Sequence, residues 1–267
     1  MSAVATMRRL SLAGLALLGL AAISTASAAA PPPAQPSALA PANLKAKRPK
    51  PAFDLTGTWF PDNANIGNRS FRFGPPYPKF KPEAQAEYDA GQKATAEGRA
   101  YHDYIGQCYP AGLPMIMTRV WPIAMVQLPT VIYMVSGFEN AFRAVYLDGR
   151  KHMDPDLVVP SYNGESIGRW EGDALVVDTT AIEPQFHTID TGVPVSDQFH
   201  VVERVRLLNG GQTLEIAYSM TDPKMWEGEW ASTKRWKRVD DQDITEVECT
   251  PDLEAHMPAT RSTLNVR

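Results

Sequence analysis

From Pro122 onward the chain is written in short runs rich in Val, Ile, Tyr, Thr and Trp, recurring roughly every 8 to 14 residues between turn signals, the pattern of an antiparallel β meander. The runs span 123–128, 131–136, 141–147, 166–171, 174–180, 200–208, 213–220, 229–239 and 244–249. Between them, residues 137–140, Asp148-Gly149, Gly172-Asp173 and Asn209-Gly210-Gly211 supply side chains that tolerate positive φ in tight turns. Consecutive hairpins expose bare edges unless the sheet closes or packs on another. The expected fold is therefore mainly β, an antiparallel meander closing into a barrel within one domain over 52–267. Strand–helix–strand alternation is missing, which argues against a parallel sheet and a nucleotide fold. One helix is expected over 82–98: Pro82 suits a first turn, Glu83 and Glu87 favour its positive end, and Gly98 can stop it.

Upstream of the domain, residues 1–28 read as a cleavable signal peptide: Arg8 and Arg9, an apolar run from Leu10 to Ile23, then small residues ending at Ala28. That run is shorter than the ~20 residues a membrane-crossing helix needs. No transmembrane segment is expected in the mature protein, and its location is expected to be periplasmic or extracellular. Residues 29–51 are Ala, Pro and basic side chains, a composition that buries too little surface to fold alone, and are expected to form an extended tether. The formal charge of −4 becomes −6 without Arg8 and Arg9, and about −10 without Lys45, Lys47, Arg48 and Lys50 as well, which argues against a nucleic-acid partner. Cys108 and Cys249 have no second Cys or His at metal-ligand spacing. In an exported chain a single disulfide is the economical reading, with two buried thiols as the other.

Strand parity picks out the polar residues that need explaining. In 200–208, Phe199, Val201, Glu203, Val205 and Leu207 share the apolar face, so Glu203 is a carboxylate among large apolar neighbours and needs an Arg, a hydroxyl or a chemical role. His200 and Arg204 lie on the other face. In 166–171, Ser166, Gly168 and Trp170 share one face and Ile167, Arg169 and Glu171 the other. With a two-residue turn at Gly172-Asp173, Asp178 falls opposite Ile167 and diagonal to Arg169, and an Arg169–Asp178 ion pair is expected, structural or setting the polarity of a cavity. Gly164-Glu-Ser-Ile-Gly168 fits the G-x-S-x-G of a nucleophile elbow, but the serine leads into a hairpin and not the required helix.

Asp148, Arg150 and His152 follow a strand end and form a candidate polar rim, with His152 a possible proton carrier. Their spacing, with Asp154 and Asp156 beyond, matches no standard ligand set, so neither metal nor cofactor is expected. His187 and Asp190 stand on an irregular stretch, 182–198, long enough to be a lid, while His102 and His256 read as surface residues.

Three segments together, Tyr146-Leu-Asp-Gly-Arg150 with His152, the run from Gly164 to Thr179, and His200-Val-Val-Glu-Arg204 with Thr221-Asp-Pro223, resemble a family of exported, largely uncharacterised bacterial proteins over about 54–249. Met153 and Ala174 stand where that family usually has Pro and Thr. The resemblance implies export and β architecture and carries no established reaction. Gly57-Thr58-Trp59 is similar to the opening of lipocalin-like barrels, and that likeness implies a Trp across the closed end against a late-strand cation, Arg235 or Arg238.

The expected function is an exported barrel binding a small amphipathic or aromatic molecule, with Asp148, Arg150, Arg169, Trp170, Asp178 and His200 as candidate ligand contacts. One alternative is an acid/base enzyme on the same frame, a lyase, isomerase or hydrolase. There Glu203 or His152 would move the proton and Arg204 or Arg150 would steady negative charge. The other alternative is an envelope interaction module.

Overall fold

The computed structural model describes residues 35–62, 73–98, 104–105, 108–119, 121–139, 141–190, 192–247 and 249. In chain order the regular elements are helix α1 (Pro41–Lys45), strands β1 (Gly57–Pro61) and β2 (Lys79–Phe80), helix α2 (Pro82–Ala96), then β3 (Ile123–Gln127), β4 (Val131–Ser136), β5 (Phe142–Tyr146), β6 (Glu165–Glu171), β7 (Ala174–Thr180), β8 (Thr188–Ile189), β9 (Val193–Pro194), β10 (His200–Leu208), β11 (Thr213–Thr221), β12 (Trp226–Glu227) and β13 (Trp230–Val239).

Nine of the strands close a barrel in the order β1-β13-β11-β10-β7-β6-β5-β4-β3. Closure falls to β1, which pairs antiparallel with β3 on one side and β13 on the other, so neither end of the meander is left as a bare edge. Every pairing in the barrel is antiparallel except β5 with β6, where Val145 meets Ser166 and Tyr146 meets Ile167 in parallel. That seam requires a crossover, residues 147–164, which runs outside the wall and carries the Asp148–His152 segment. The β6–β7 hairpin has the expected two-residue turn, with Glu171 facing Ala174 and Ile167 facing Asp178.

Two sequence expectations fail. Among the described residues of 244–249 none lies in a strand, and the barrel ends with β13: Glu246 and Val247 offer no alternating apolar face once β1 has taken β13's free edge. The stretch 35–50 is also not simply extended. Its residues form α1, bury Ala38, and dock on the barrel through Thr130 Oγ1 donating to Ala38 O at 2.7 Å and Asn43 Nδ2 donating to Asp148 Oδ2 at 3.0 Å. Apolar-poor chain that cannot fold alone can still lie down on a wall that offers it hydrogen bonds. The signal-peptide residues, His102 and His256 lie outside the described residues.

The end of the barrel where β1 begins is sealed by Trp59, fully buried, with its Nε1 donating to Leu55 O at 3.0 Å and the Arg238 guanidinium 4.2 Å above its ring. Of the two arginines expected to cover it, Arg238 does so, donating also to Thr56 O at 2.6 Å, while Arg235 is turned out to Glu215. The other end is filled by edge-to-face rings, Phe199–Trp226 at 5.9 Å and Trp226–Trp230 at 5.7 Å. Gly164, which launches β6, sits at φ +63, and a Cβ there would stand 2.5 Å from Thr180 O. Gly164→Ala is expected to lower stability by about 2 kcal/mol, since a left-handed non-glycine residue alone costs ~1–2 kcal/mol. A urea midpoint equal to wild type would contradict this.

Candidate functional site

At the Trp59 end, outside the seal, the docked N-terminal stretch and the barrel enclose a cleft of about 890 Å³. Its apolar walls are Leu44, Phe53, Leu128, Leu147 and Trp170, with Arg48 and Lys50 on the stretch side and Asp148 and Gly149 on the crossover side. Phe53 and Trp170 meet edge to face at 4.8 Å. Gln127 fixes that corner, accepting from Leu55 N at 3.0 Å and donating to Phe53 O at 3.0 Å.

Asp148 is fully engaged. Arg150 donates to both its oxygens, at 2.8 and 2.6 Å, and Asn43 donates to one. The Arg150 hydrogen bond, opposed by burial and aided by Asn43, brings the Asp148 carboxyl down to about 2. Arg150 in turn lies 3.8 Å over the Tyr146 ring and donates to Pro36 O. Asp148 and Arg150 thus spend their charges on each other and on holding the N-terminal stretch. The cleft also presents the Phe53 and Trp170 rings and two cations, Lys50 and Arg48, the latter donating to Asn43 O and Oδ1.

Higher on the outer wall, three residues from separate sequence motifs converge. His152 Nε2 and His200 Nε2 both face Asp178 Oδ1, at 3.1 and 2.9 Å. The other nitrogen of His152, Nδ1, faces Glu165 Oε2 at 3.0 Å and the Thr180 hydroxyl at 3.3 Å, and Glu165 also accepts from Met153 N at 2.9 Å. Burial pushes the Asp178 carboxyl up, but the hydrogen bond and charge of His200, then those of His152, outweigh it and hold the group below its ordinary value. This overturns the expected Arg169–Asp178 pair: Arg169, 59% exposed, turns back to Glu171 at 2.8 Å. Asp178 is the better served by two imidazoles that reach it across neighbouring elements. Among the described residues no group of three or more His, Cys, Asp or Glu side chains is placed to hold a metal ion.

Inside the barrel, Glu203 is 1% exposed and its partner is Arg143, from β5. Arg143 Nη1 donates to Glu203 Oε1 at 3.0 Å and Nη2 to Oε2, while Nε and Nη2 reach Ser166 Oγ at 3.2 and 3.1 Å and Nη2 reaches Thr179 Oγ1 at 3.1 Å. Ser166, the serine of the G-x-S-x-G pattern, is therefore an interior strand residue bound into an ion-pair network. Tyr218, opposite Glu203 on β11, has its hydroxyl pushed well up, by burial first and by the Glu203 charge second. Lys234 lies 5.0 Å over the Phe73 ring, and burial brings its amine down to about 8.

Arg204 stands on the outer face, 39% exposed, donating to Glu171 Oε2 at 3.1 Å. His187 is buried, its Nδ1 at 2.9 Å from Glu183 O, and burial lowers it to about 4. Asp190 accepts from Phe73 N and Gly74 N at 2.8 and 3.3 Å. Both residues are buried, and Asp190 ties its part of the described stretch to Phe73 and Gly74, so the described residues of 182–198 lie on the core and not as a raised flap. Cys108 and Cys249 form a disulfide across 141 positions, bordering a second cleft of about 550 Å³ beside Tyr162.

Sequence parity could have found Arg143, which shares a face with Val145, but a lone Arg in a strand reads most simply as solvent-facing. The cleft residues Phe53, Arg48 and Lys50 carried no such signal. Their role depends on how 35–50 docks.

What fold and site define together is a closed nine-strand β-barrel with a mixed aromatic and cationic cleft at its sealed end and a histidine–carboxylate cluster on its outer wall. No family model and no curated protein sequence matches the chain.

Proposed function

We propose that this chain is an exported small-molecule-binding β-barrel protein, periplasmic or extracellular, that holds an amphipathic, aromatic and anionic ligand in the cleft between its N-terminal stretch and the sealed barrel end. The carrying observation is the cleft itself: about 890 Å³, with Trp170 and Phe53 as ring surfaces and Arg48 and Lys50 at one side. That volume is within the range of small-molecule sites, which pair apolar walls with a few polar groups. Two carboxylates line the cleft: Asp148 is neutralised by Arg150, and Asp54, exposed, accepts from Thr56 N. The signal-peptide grammar and the disulfide support export. The motif likeness to exported bacterial proteins and the Trp59–Arg238 seal support a lipocalin-like frame.

Titration with anilinonaphthalene sulfonate, an aromatic anion with an apolar body, tests the reading. One site is expected, weakened roughly tenfold or more by Trp170→Ala, the scale of losing a central aromatic anchor, and weakened less by Lys50→Glu. Equal affinity in both variants would refute the cleft.

A second reading, an acid/base enzyme, is favoured by one observation: His152, Asp178 and His200 share hydrogen bonds on an accessible wall. In that reading His152 moves the proton and Asp178 orients it. Arg150 and Arg204 are already committed to Asp148 and Glu171, which leaves neither ready to steady a developing charge. Glu203 is equally committed to Arg143.

A further inference from the structure

The two cations on the N-terminal wall of the cleft are held in different ways. Lys50 is exposed and has no hydrogen bond or ion pair among the described residues. Arg48 is half-buried and locked: Nη1 donates to Asn43 O at 2.5 Å and to Ala46 O at 3.2 Å, and Nη2 donates to Asn43 Oδ1. Asn43 lies in α1 and Ala46 is its C-cap, so this edge of the guanidinium satisfies carbonyls that a helix end leaves open. Capping uses at most three of the five N–H donors. We propose that the remaining edge of Arg48, Nε–H with the neighbouring Nη2 proton, is a preformed carboxylate fork, and that the ligand of the cleft is an aromatic carboxylate. The inference rests on the cleft being the ligand site.

A guanidinium is planar and presents two forks along different edges. Nη1 and Nη2 both meet acceptors of Asn43, which puts that residue at the end fork and leaves the side fork, Nε with Nη2, over. The side fork is the edge this chain uses for its own carboxylates. Arg150 meets Asp148 with Nε at 2.8 Å and Nη2 at 2.6 Å, and Arg235 meets Glu215 with the same two nitrogens at 2.8 and 2.6 Å. No carboxylate among the described residues fills it at Arg48. Asp148, across the cleft, already has both oxygens taken by Arg150 and one shared with Asn43.

The chemistry selects the ligand group. A carboxylate offers two coplanar acceptors and a full negative charge to such a fork, whereas a carboxamide turns an N–H against an N–H. An apolar aromatic body then has the Trp170 and Phe53 rings as its surfaces. Because α1 already orders Arg48, binding does not have to freeze a long side chain. Asn43 is the positioning residue: it accepts from Arg48 through two oxygens and donates from Nδ2 to Ser37 O at 3.1 Å and Asp148 Oδ2 at 3.0 Å. It thereby ties the fork to the barrel.

Naphthoate and its neutral isostere naphthamide, titrated near neutral pH into the full mature chain, read the fork as a ratio of affinities. Wild type is expected to prefer naphthoate by roughly tenfold or more, the scale of hydrogen bonds to a charged group. Arg48→Lys keeps the charge and loses the fork, and the preference should shrink to roughly threefold or less. Asn43→Ala, which frees Arg48 to move, should shrink it in the same direction. An Arg48 that only caps α1 would weaken both probes alike, so a wild-type ratio in Arg48→Lys and Asn43→Ala overturns the fork. Binding of both probes that depends on Trp170 but shows no carboxylate preference also overturns it, and leaves the cleft standing. No binding of either probe removes the cleft reading and the fork together.

Discussion

Arg143→Met is expected to destabilise the protein by about 3–5 kcal/mol, the cost of stripping the partner from a buried charge. Glu203 would remain 1% exposed, opposite Tyr218, having lost both of its guanidinium hydrogen bonds. For a domain of this size each kcal/mol moves the melting midpoint by roughly 2–4 °C, so a drop of roughly 6–20 °C is expected by calorimetry. The double variant Arg143→Met with Glu203→Leu should recover most of that loss, since apolar replacement of a whole buried pair is often neutral. Glu203→Gln alone leaves Arg143 charged and unneutralised and should resemble the single Arg143 variant. An Arg143→Met protein within about 1 kcal/mol of wild type would mean the pair does not organise the barrel interior.

Reduction of the disulfide, or Cys108→Ser with Cys249→Ser, is expected to cost roughly 5 kcal/mol in the chain-entropy model for a loop of 141 positions. The bond matters here for a structural reason. Cys249 lies beyond β13, after the last barrel pairing, and Cys108 precedes β3, so without the link the described residues past β13 have no strand partner to hold them. The midpoint by circular dichroism should fall by roughly 10–20 °C with the β signal intact at low temperature. A reduced protein melting within about 2 °C of the oxidised one would show that the bond closes a loop already constrained in the unfolded chain.

How much of this was readable from the chain depended on the range of the interaction. The β6–β7 hairpin is a local event, so Gly172-Asp173 and alternation sufficed to place Ile167 opposite Asp178. The same parity put Glu203 inside, and the energetic argument that it needed a partner holds in Arg143. The identity of that partner was not local: Arg143 is 60 positions away, and its strand reaches Glu203 only because β5 joins β6 in parallel. The His152–Asp178–His200 cluster failed to be read for a related reason. Asp178 was assigned to Arg169, its diagonal neighbour, whereas His152 arrives from the crossover and His200 from β10, neither placed by hairpin geometry. Low-hydrophobicity composition argues that 29–51 has no core of its own, but it is silent on whether such a stretch can use the barrel's, as Ala38 does.

The central claim is that the cleft beside Trp170 holds a small organic ligand. Native mass spectrometry of the mature protein recovered from its own compartment, with Trp170→Ala and Lys50→Glu alongside and all three folded by circular dichroism, tests it directly. The account predicts a discrete small-molecule adduct on the wild type that is lost from Trp170→Ala and weakened in Lys50→Glu. A bare mass throughout, or an adduct that survives both substitutions, would contradict it.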